Sequence, residues 1–158
     1  MDRNCETRFF NEKDLADVAH INWTCLPENY DTSFFLDISN HFPRIFLVAM
    51  VDGKLVGYIM CRVEVGLSGI KFKIARKGHV ISLAVLPEHR RRGIAHALLS
   101  KVISNIAEYN VDEFYLEVRI GNKPAIDLYQ SFGFTSIRTI RGYYRDGEDA
   151  CVMSRSID

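Results

Sequence analysis

The stretch His79–Ile106, HVISLAVLPEHRRRGIAHALLSKVISNI, decides how the chain folds. His79 to Leu86 is a short apolar run carrying the β-branched Val80, Ile81 and Val85 and closed by Pro87, the pattern of a buried central strand. From Ile94 onward, Ile94, Leu98, Leu99, Val102, Ile103 and Ile106 recur at helical spacing and predict a single buried stripe. Between strand and helix lies Arg90-Arg91-Arg92-Gly93-Ile94-Ala95. The first-turn amides of a helix have no intrahelical partners, and a glycine beside a small residue lets a ligand approach them. Taken alone, the arginine triplet reads equally as a solvated basic turn. Placed after a buried strand and at a helix start, it reads as a cradle for an anion such as a pyrophosphate.

Working outward, 158 residues suit one domain with a proper core. Lys+Arg and Asp+Glu both total 20, so no global charge calls for nucleic acid. No apolar run approaches the roughly 20 residues needed to span a bilayer, so no membrane association is expected. The opening MDRNCETRFF is charged and lacks the apolar core of a signal peptide, which predicts a cytoplasmic protein. Cys5, Cys25, Cys61 and Cys151 lack CxxC spacing and read as free thiols, with a disulfide pair the less favoured alternative. GxGxxG and GxxxxGK[ST] are both absent, which removes support for a dinucleotide fold and a P-loop.

Along the chain, Arg8-Phe9-Phe10 ends a first strand and Asn11 caps a helix over Glu12 to Cys25, stopped by Pro27. A second short helix is expected around Ser33 to Ser39. Ile45–Val51 and Lys54–Val65 form a hairpin about Asp52-Gly53, and Gly66 to Lys77 reads as an exposed loop or strand end. Glu113–Val118 is a strand, and Asn122 caps a helix ended by Gly133. Phe134–Ile140 and Asp149–Arg155 form the last strand pair. The pattern β-α-α-β-β-β-α-β-α-β-β describes a mixed α/β sheet.

Arg90-x-x-Gly93-x-Ala95 resembles the Q/R-x-x-G-x-G/A motif of the GCN5-related N-acetyltransferase (GNAT) superfamily. Leu116-Glu117-Val118-Arg119, Asn122, Ala125, Leu128-Tyr129 and Gly133-Phe134 resemble the second half of RimI-like and NatA-type enzymes. Leu26-Pro27-Glu28-Asn29-Tyr30 and Tyr143 to Ala150 are similar to two loop segments of the NatA-type catalytic subunits, and the nearest likeness is to archaeal-type alpha-amino acetyltransferases. The resemblance implies a GNAT fold over residues 1–158: a mixed, mostly antiparallel central sheet with about four helices, splayed at the cofactor cleft. It implies acetyl-CoA as cosubstrate without a metal, and protein or peptide N-termini as acceptors, Ser, Ala or Thr first and Met within reach. Monomer or homodimer, an auxiliary subunit and ribosome association are all compatible with it.

The same resemblance assigns residues. Leu83, Ala84 and Val85 would hold the pantetheine arm, and Arg90, Arg91, Arg92, Gly93, Ile94, Ala95 and His96 the phosphates. Asn122 would bond the cofactor arm or simply cap its helix, and Tyr129 would protonate the CoA thiolate or simply pack in the core. Glu117, a carboxylate in an apolar strand, is the candidate general base, working with His79 through a water. From spacing alone Glu117 reads as a paired or solvent-facing glutamate and His79 as structural; the resemblance selects the catalytic roles. An α-amino group ionises near pKa 7.7–8.0 against about 10.4 for lysine, so a modest base suffices. Glu28, Tyr30, His79, Tyr143 and Tyr144 are the expected acceptor-binding residues. Lysine or small-amine acetylation, and a non-catalytic CoA-binding module, are the competing readings.

Overall fold

Alternating burial along β-branched runs yields strands, and apolar stripes of period near four yield the helices that cover them. The computed structural model describes residues 4–157, so the first three residues of the MDRNCETRFF stretch lie outside it. Its elements are β1 (Cys5–Phe9), α1 (Leu15–Cys25), α2 (Thr32–His41), β2 (Phe46–Val51), β3 (Lys54–Leu67), β4 (Ile74–Val85), α3 (Ile94–Ile106), β5 (Glu113–Arg119), α4 (Lys123–Ser131), β6 (Thr135–Ile140) and β7 (Ala150–Ser156). The strands follow the order β1-β2-β3-β4-β5-β7-β6, a mixed sheet of the expected class. Among the described residues no helix is long and apolar enough to cross a membrane, and none of the four cysteines is in a disulfide.

The chain forms two compact units, one reaching Arg62 and resuming over Ile81–Ile106, the other made of Val63–Val80 and the chain from Ala107. In the first, β1 and β2 pair antiparallel from Cys5↔Val51 to Phe9↔Leu47, and β2 pairs β3 with a bulge at Ala49/Met50. Asp52 and Gly53 both have positive φ, 50° and 78°, as a two-residue hairpin turn requires. Val18 and Ile21 of α1, Phe35 and Ile38 of α2, and Leu98, Leu99, Val102 and Ile106 of α3 are buried with Val48, Val56 and Tyr58. Phe10 stacks on Phe46 at 4.2 Å, and Phe35 meets Tyr58 edge-on. Gly57 permits a close approach: a Cβ there would lie 3.0 Å from the Ala84 carbonyl oxygen and 3.1 Å from Val85 Cγ2.

In the second unit, β5 pairs β7 antiparallel over seven residues, and β6 pairs β7 with a shift between Ser136 and Arg138. β4 and β5 are parallel over three pairs only: Lys77↔Glu113, Gly78↔Phe114 and His79↔Tyr115. Phe114, Leu116, Tyr129, Phe134 and Val152 form the core. Gly133, at φ 85°, ends α4 as its position predicts.

One expectation needs correcting. Gly66 to Lys77 is half strand and half loop, not one or the other: β3 runs on to Leu67 and β4 begins at Ile74, leaving a loop over 68–73. The signal is masked because Val65, Leu67 and Ile74 are exposed, so alternation there does not mark a buried face. His79 is accordingly inside β4 rather than at its start.

The entry to α1 is a capping box on a single 3-10 turn, with Asn11 Oδ1 accepting from Lys13 N–H and Asp14 Oδ2 from Asn11 N–H. Asp14 also takes a two-pronged bond from Arg8 at 2.7 and 2.9 Å. Although burial opposes ionisation, the Arg8 and Asn11 bonds hold this carboxyl below the usual carboxylate range. A lowered folded pKa means stability present above the unfolded value near 3.9 and lost as pH falls through the folded one. Asp14→Asn should therefore cost about 1–2 kcal/mol at neutral pH, with the gap narrowing as pH drops below about 4. Urea unfolding at several pH values checks this, and a gap independent of pH would contradict it.

Candidate functional site

The basic turn follows Val85, the last residue of β4. Pro87–His89 makes one 3-10 turn, then Arg91 and Gly93 adopt left-handed backbone, φ 62° and 79°. For Arg91 that conformation costs about 1–2 kcal/mol. The first helical bond of α3 runs from Ala97 N–H to the Gly93 carbonyl at 3.0 Å, so the amides ahead of it have no intrahelical carbonyl. Arg90, Arg91, Arg92 and His96 are exposed around this terminus, and Ala95 is half-buried. Charge and geometry thus suit a phosphate group. The Arg90 guanidinium departs from expectation, because its Nε donates to the Val85 carbonyl at 2.9 Å, which also accepts from Cys25 Sγ at 3.6 Å. Arg90 therefore braces the end of β4, and the Val85 carbonyl is already bonded. Leu83 is half-buried while Ala84 and Val85 are buried.

The Leu26–Tyr30 loop of the same unit is held by Asn22, which is 1% exposed on the apolar face of α1. Asn22 Nδ2 donates to the Glu28 carbonyl and to Tyr58 Oη, both at 3.1 Å, while its Oδ1 accepts from Tyr30 N–H at 3.2 Å. Asn29 Nδ2 returns bonds to the Leu26 and Asn22 carbonyls. Burial pushes the Tyr58 phenol up to about 12 despite hydrogen bonds with Ser82, at 2.6 Å, and Asn22. Tyr30 stacks on Phe34 at 5.0 Å and donates its hydroxyl to the Ile81 carbonyl of β4 at 3.4 Å. Glu28 and Tyr30 are both half-buried.

In the second unit the sheet assembles a polar cluster. His79, 8% exposed, lies between two carboxylates: Nδ1 is 3.1 Å from Glu64 Oε2 of β3, and Nε2 is 2.7 Å from Glu117 Oε2 of β5. Period-two geometry puts Tyr115 and Glu117 on one face of β5. The Tyr115 ring stacks on the imidazole at 4.2 Å, and its hydroxyl donates a short bond to Glu64 Oε1. Lys77 Nζ sits 4.3 Å from the centre of the Tyr115 ring. His79 and Glu117, expected to work together through a water, touch directly. Glu64 and Tyr115 were not legible as members, though both are polar residues within strands.

Asn122 caps α4 through Ala125 N–H at 3.3 Å, and Tyr129 is 6% exposed, edge-on to Phe134. The loop between β6 and β7 is fastened by Arg119, whose Nη1 donates to both oxygens of Asp146 at 3.0 and 2.8 Å and to Glu148 Oε1 at 2.9 Å. The guanidinium also lies 4.1 Å from the Tyr144 ring centre. The Glu148 N–H, then Arg119, hold the Asp146 carboxyl below the usual carboxylate range. Tyr143 stands 48% exposed, edge-on to Tyr144. Among the described residues no group of three or more His, Cys, Asp or Glu is placed to hold a metal ion.

The chain is similar to known proteins along most of its length. Residues 15–134 match the acetyltransferase (GNAT) family. An N-alpha-acetyltransferase of Saccharolobus solfataricus is 46% identical over 147 residues, covering 91% of this chain and 88% of that protein. The crystal structure of Ard1 from Thermoplasma volcanium superposes with a TM-score of 0.84 at 30% identity, covering 98% of this chain and 99% of that one. Arabidopsis thaliana Naa50, solved in complex with the bisubstrate analogue CoA-Ac-MVNAL, gives 0.83 at 29%, covering 97% and 99%.

Asn22 is the residue on which the Leu26–Tyr30 loop most depends. Asn22→Ala removes the hydrogen bonds to the Glu28 carbonyl and the Tyr30 N–H, and should destabilise the protein by about 2 kcal/mol. Hydrogen exchange at the Tyr30 amide should rise at the same time. Unchanged exchange there would show that other contacts order the loop.

Proposed function

The chain belongs to the GNAT acetyltransferase family, and we propose that it acts as one catalytic domain moving the acetyl group of acetyl-CoA onto the α-amino group of protein N-termini. The observation that carries this is the 2.7 Å contact between His79 and Glu117 on strands that continue into the family's phosphate-binding turn and LEVR segment. Similarity to a protein named N-alpha-acetyltransferase, and to one solved with a CoA–peptide conjugate, supports the same acceptor.

In this reading Arg91, Arg92 and the amides of Gly93, Ile94, Ala95 and His96 take the phosphates, with Arg90 bracing the turn. Leu83 to Val85 and Asn122 line the pantetheine arm. Glu117, with His79, accepts a proton from the α-ammonium through a water, freeing the lone pair that attacks the thioester carbonyl. The tetrahedral adduct collapses, the C–S bond breaks, Tyr129 gives the leaving thiolate its proton, and the second proton shed by the nitrogen restores the Tyr129 phenol through solvent. Glu28, Tyr30, Tyr143 and Tyr144 grip the first residues of an extended acceptor, with Ser, Ala or Thr preferred and Met admitted. The tyrosine rings narrow the slot against a lysine on a continuous chain. A cytoplasmic monomer or homodimer suffices for this chemistry, and an auxiliary subunit or ribosome contact would add only delivery of the acceptor.

Incubation with acetyl-CoA and peptides differing in their first two residues, read by fragmentation mass spectrometry, should place the acetyl group on the α-nitrogen. Label confined to internal lysines would overturn the acceptor assignment. Glu117→Gln should lower kcat about 100-fold near neutral pH while acetyl-CoA affinity is kept. Arg92→Ala should weaken CoA binding about tenfold by calorimetry with kcat at saturation little changed, and unaltered affinity would remove Arg92 from the phosphate site.

A further inference from the structure

Three side chains of the first unit, Asn22 of α1, Tyr58 of β3 and Ser82 of β4, are 1%, 0% and 5% exposed and are bonded in series. Backbone groups set the direction of that series. Asn22 Oδ1 accepts from the Tyr30 N–H at 3.2 Å and from Asn29 Nδ2 at 3.4 Å. Asn22 Nδ2 donates one hydrogen to the Glu28 carbonyl and the other to Tyr58 Oη, both at 3.1 Å. A backbone donor and a backbone acceptor thus fix which way the amide faces. The phenol accepts from that amide, so its own hydrogen goes to Ser82 Oγ at 2.6 Å. Burial pushes the phenol up to about 12, which keeps its hydrogen in place near neutral pH.

We infer that Ser82 is a positioning residue for the acetyl acceptor: by taking the Tyr58 proton, it holds the Asn22 amide in the orientation that fastens the Leu26–Tyr30 loop. The inference rests on the proposed role of Glu28 and Tyr30 in gripping an acceptor N-terminus, and adds the groups behind them. Ser82 follows Ile81 on β4, and the Ile81 carbonyl accepts from the Tyr30 hydroxyl at 3.4 Å. One strand therefore registers the loop twice, directly at a carbonyl and through Tyr58 and Asn22 at the neighbouring hydroxyl. No local pattern marks this use of Ser82, because its partners come from β3 and α1.

Without the serine hydroxyl the phenol hydrogen is buried and loses its acceptor, a costly state. An Asn22 amide turned over would accept it, at the expense of the bonds to the Glu28 carbonyl and the Tyr30 N–H. Ser82→Ala therefore acts on the loop through a misplaced proton rather than through lost contact area. Tyr58→Phe removes that proton at its source and leaves the amide with its backbone partners. Adding Tyr58→Phe to Ser82→Ala should thus repair the loop, whereas two independent losses of stability would add. Ser82→Thr keeps the hydroxyl and serves as the conservative variant.

The test combines steady-state kinetics on a short peptide beginning with Ser and hydrogen exchange at the Tyr30 amide, both on the intact protein. Ser82→Ala should raise KM for the peptide about tenfold, keep KM for acetyl-CoA within about twofold, and speed exchange at Tyr30. The double variant Ser82→Ala/Tyr58→Phe should return both peptide KM and exchange to within about threefold of the parent, and Ser82→Thr should match the parent. An unchanged peptide KM in Ser82→Ala, equal rises in both KM values, a double variant worse than either single, or Ser82→Thr as impaired as Ser82→Ala overturns the inference. Should Ser82→Ala fold poorly, a double variant that folds like the parent supports the inference, and one that does not overturns it. If the parent acetylates no peptide α-amine, the acceptor assignment fails first. Tyr30 exchange across the same variants then still decides whether Ser82 orients the loop: the predicted order sustains that role, and uniform exchange removes it.

Discussion

The parallel ladder between β4 and β5 lasts three residue pairs and ends at His79↔Tyr115. Register in a sheet allows no half-measures, since a slip of one residue sends every side chain to the opposite face. With His79 opposite Tyr115, the next residue on the same face of β5 is Glu117, and its carboxylate meets the imidazole. The same strand then leaves that ladder and runs on to Val85, where the basic turn begins. One strand therefore carries His79 and, at its end, the basic turn ahead of α3, while the loops over Leu26–Tyr30 and between β6 and β7 lie elsewhere in the chain.

Those loops are fastened by single polar residues. Asn22 spends its amide on the Glu28 carbonyl, the Tyr30 N–H and the Tyr58 hydroxyl, and Arg119 ties Asp146, Glu148 and Tyr144 together. The environments differ in consequence. Asn22 is buried, so loss of any one partner exposes the full desolvation cost of the others. Asp146 is at the surface, where water competes for the same bonds and the ion pair contributes to geometry more than to stability. Tyr143, by contrast, is half exposed, edge-on to Tyr144.

What the sequence shows is what local chemistry writes. Asp52-Gly53 marks its hairpin because both residues take positive φ, Asn11 marks a helix start and Gly133 a helix end. The turn at Arg90–Ala95 and the strand carrying Glu117 are equally plain. Contacts that cross many residues are not written locally. Glu64 sits in an exposed-looking stretch of β3 and meets His79 only through sheet order, so nothing near it in the chain distinguishes it from a solvated glutamate. Asn22 likewise lies on the apolar face of α1, and the partners that hold it there come from the following loop and from Tyr58. Arg90 looked like one of three equivalent arginines until its Nε was found on the Val85 carbonyl.

The most direct measurement is a crystal structure of the protein with CoA joined through an acetyl bridge to the α-nitrogen of a short peptide. The predicted result places the peptide nitrogen within one bridging water of Glu117 and His79, each link about 3 Å long, with the pyrophosphate against the Arg91–His96 amides. A nitrogen remote from both side chains, its nearest acceptor elsewhere, would contradict the assignment of this cluster as the base.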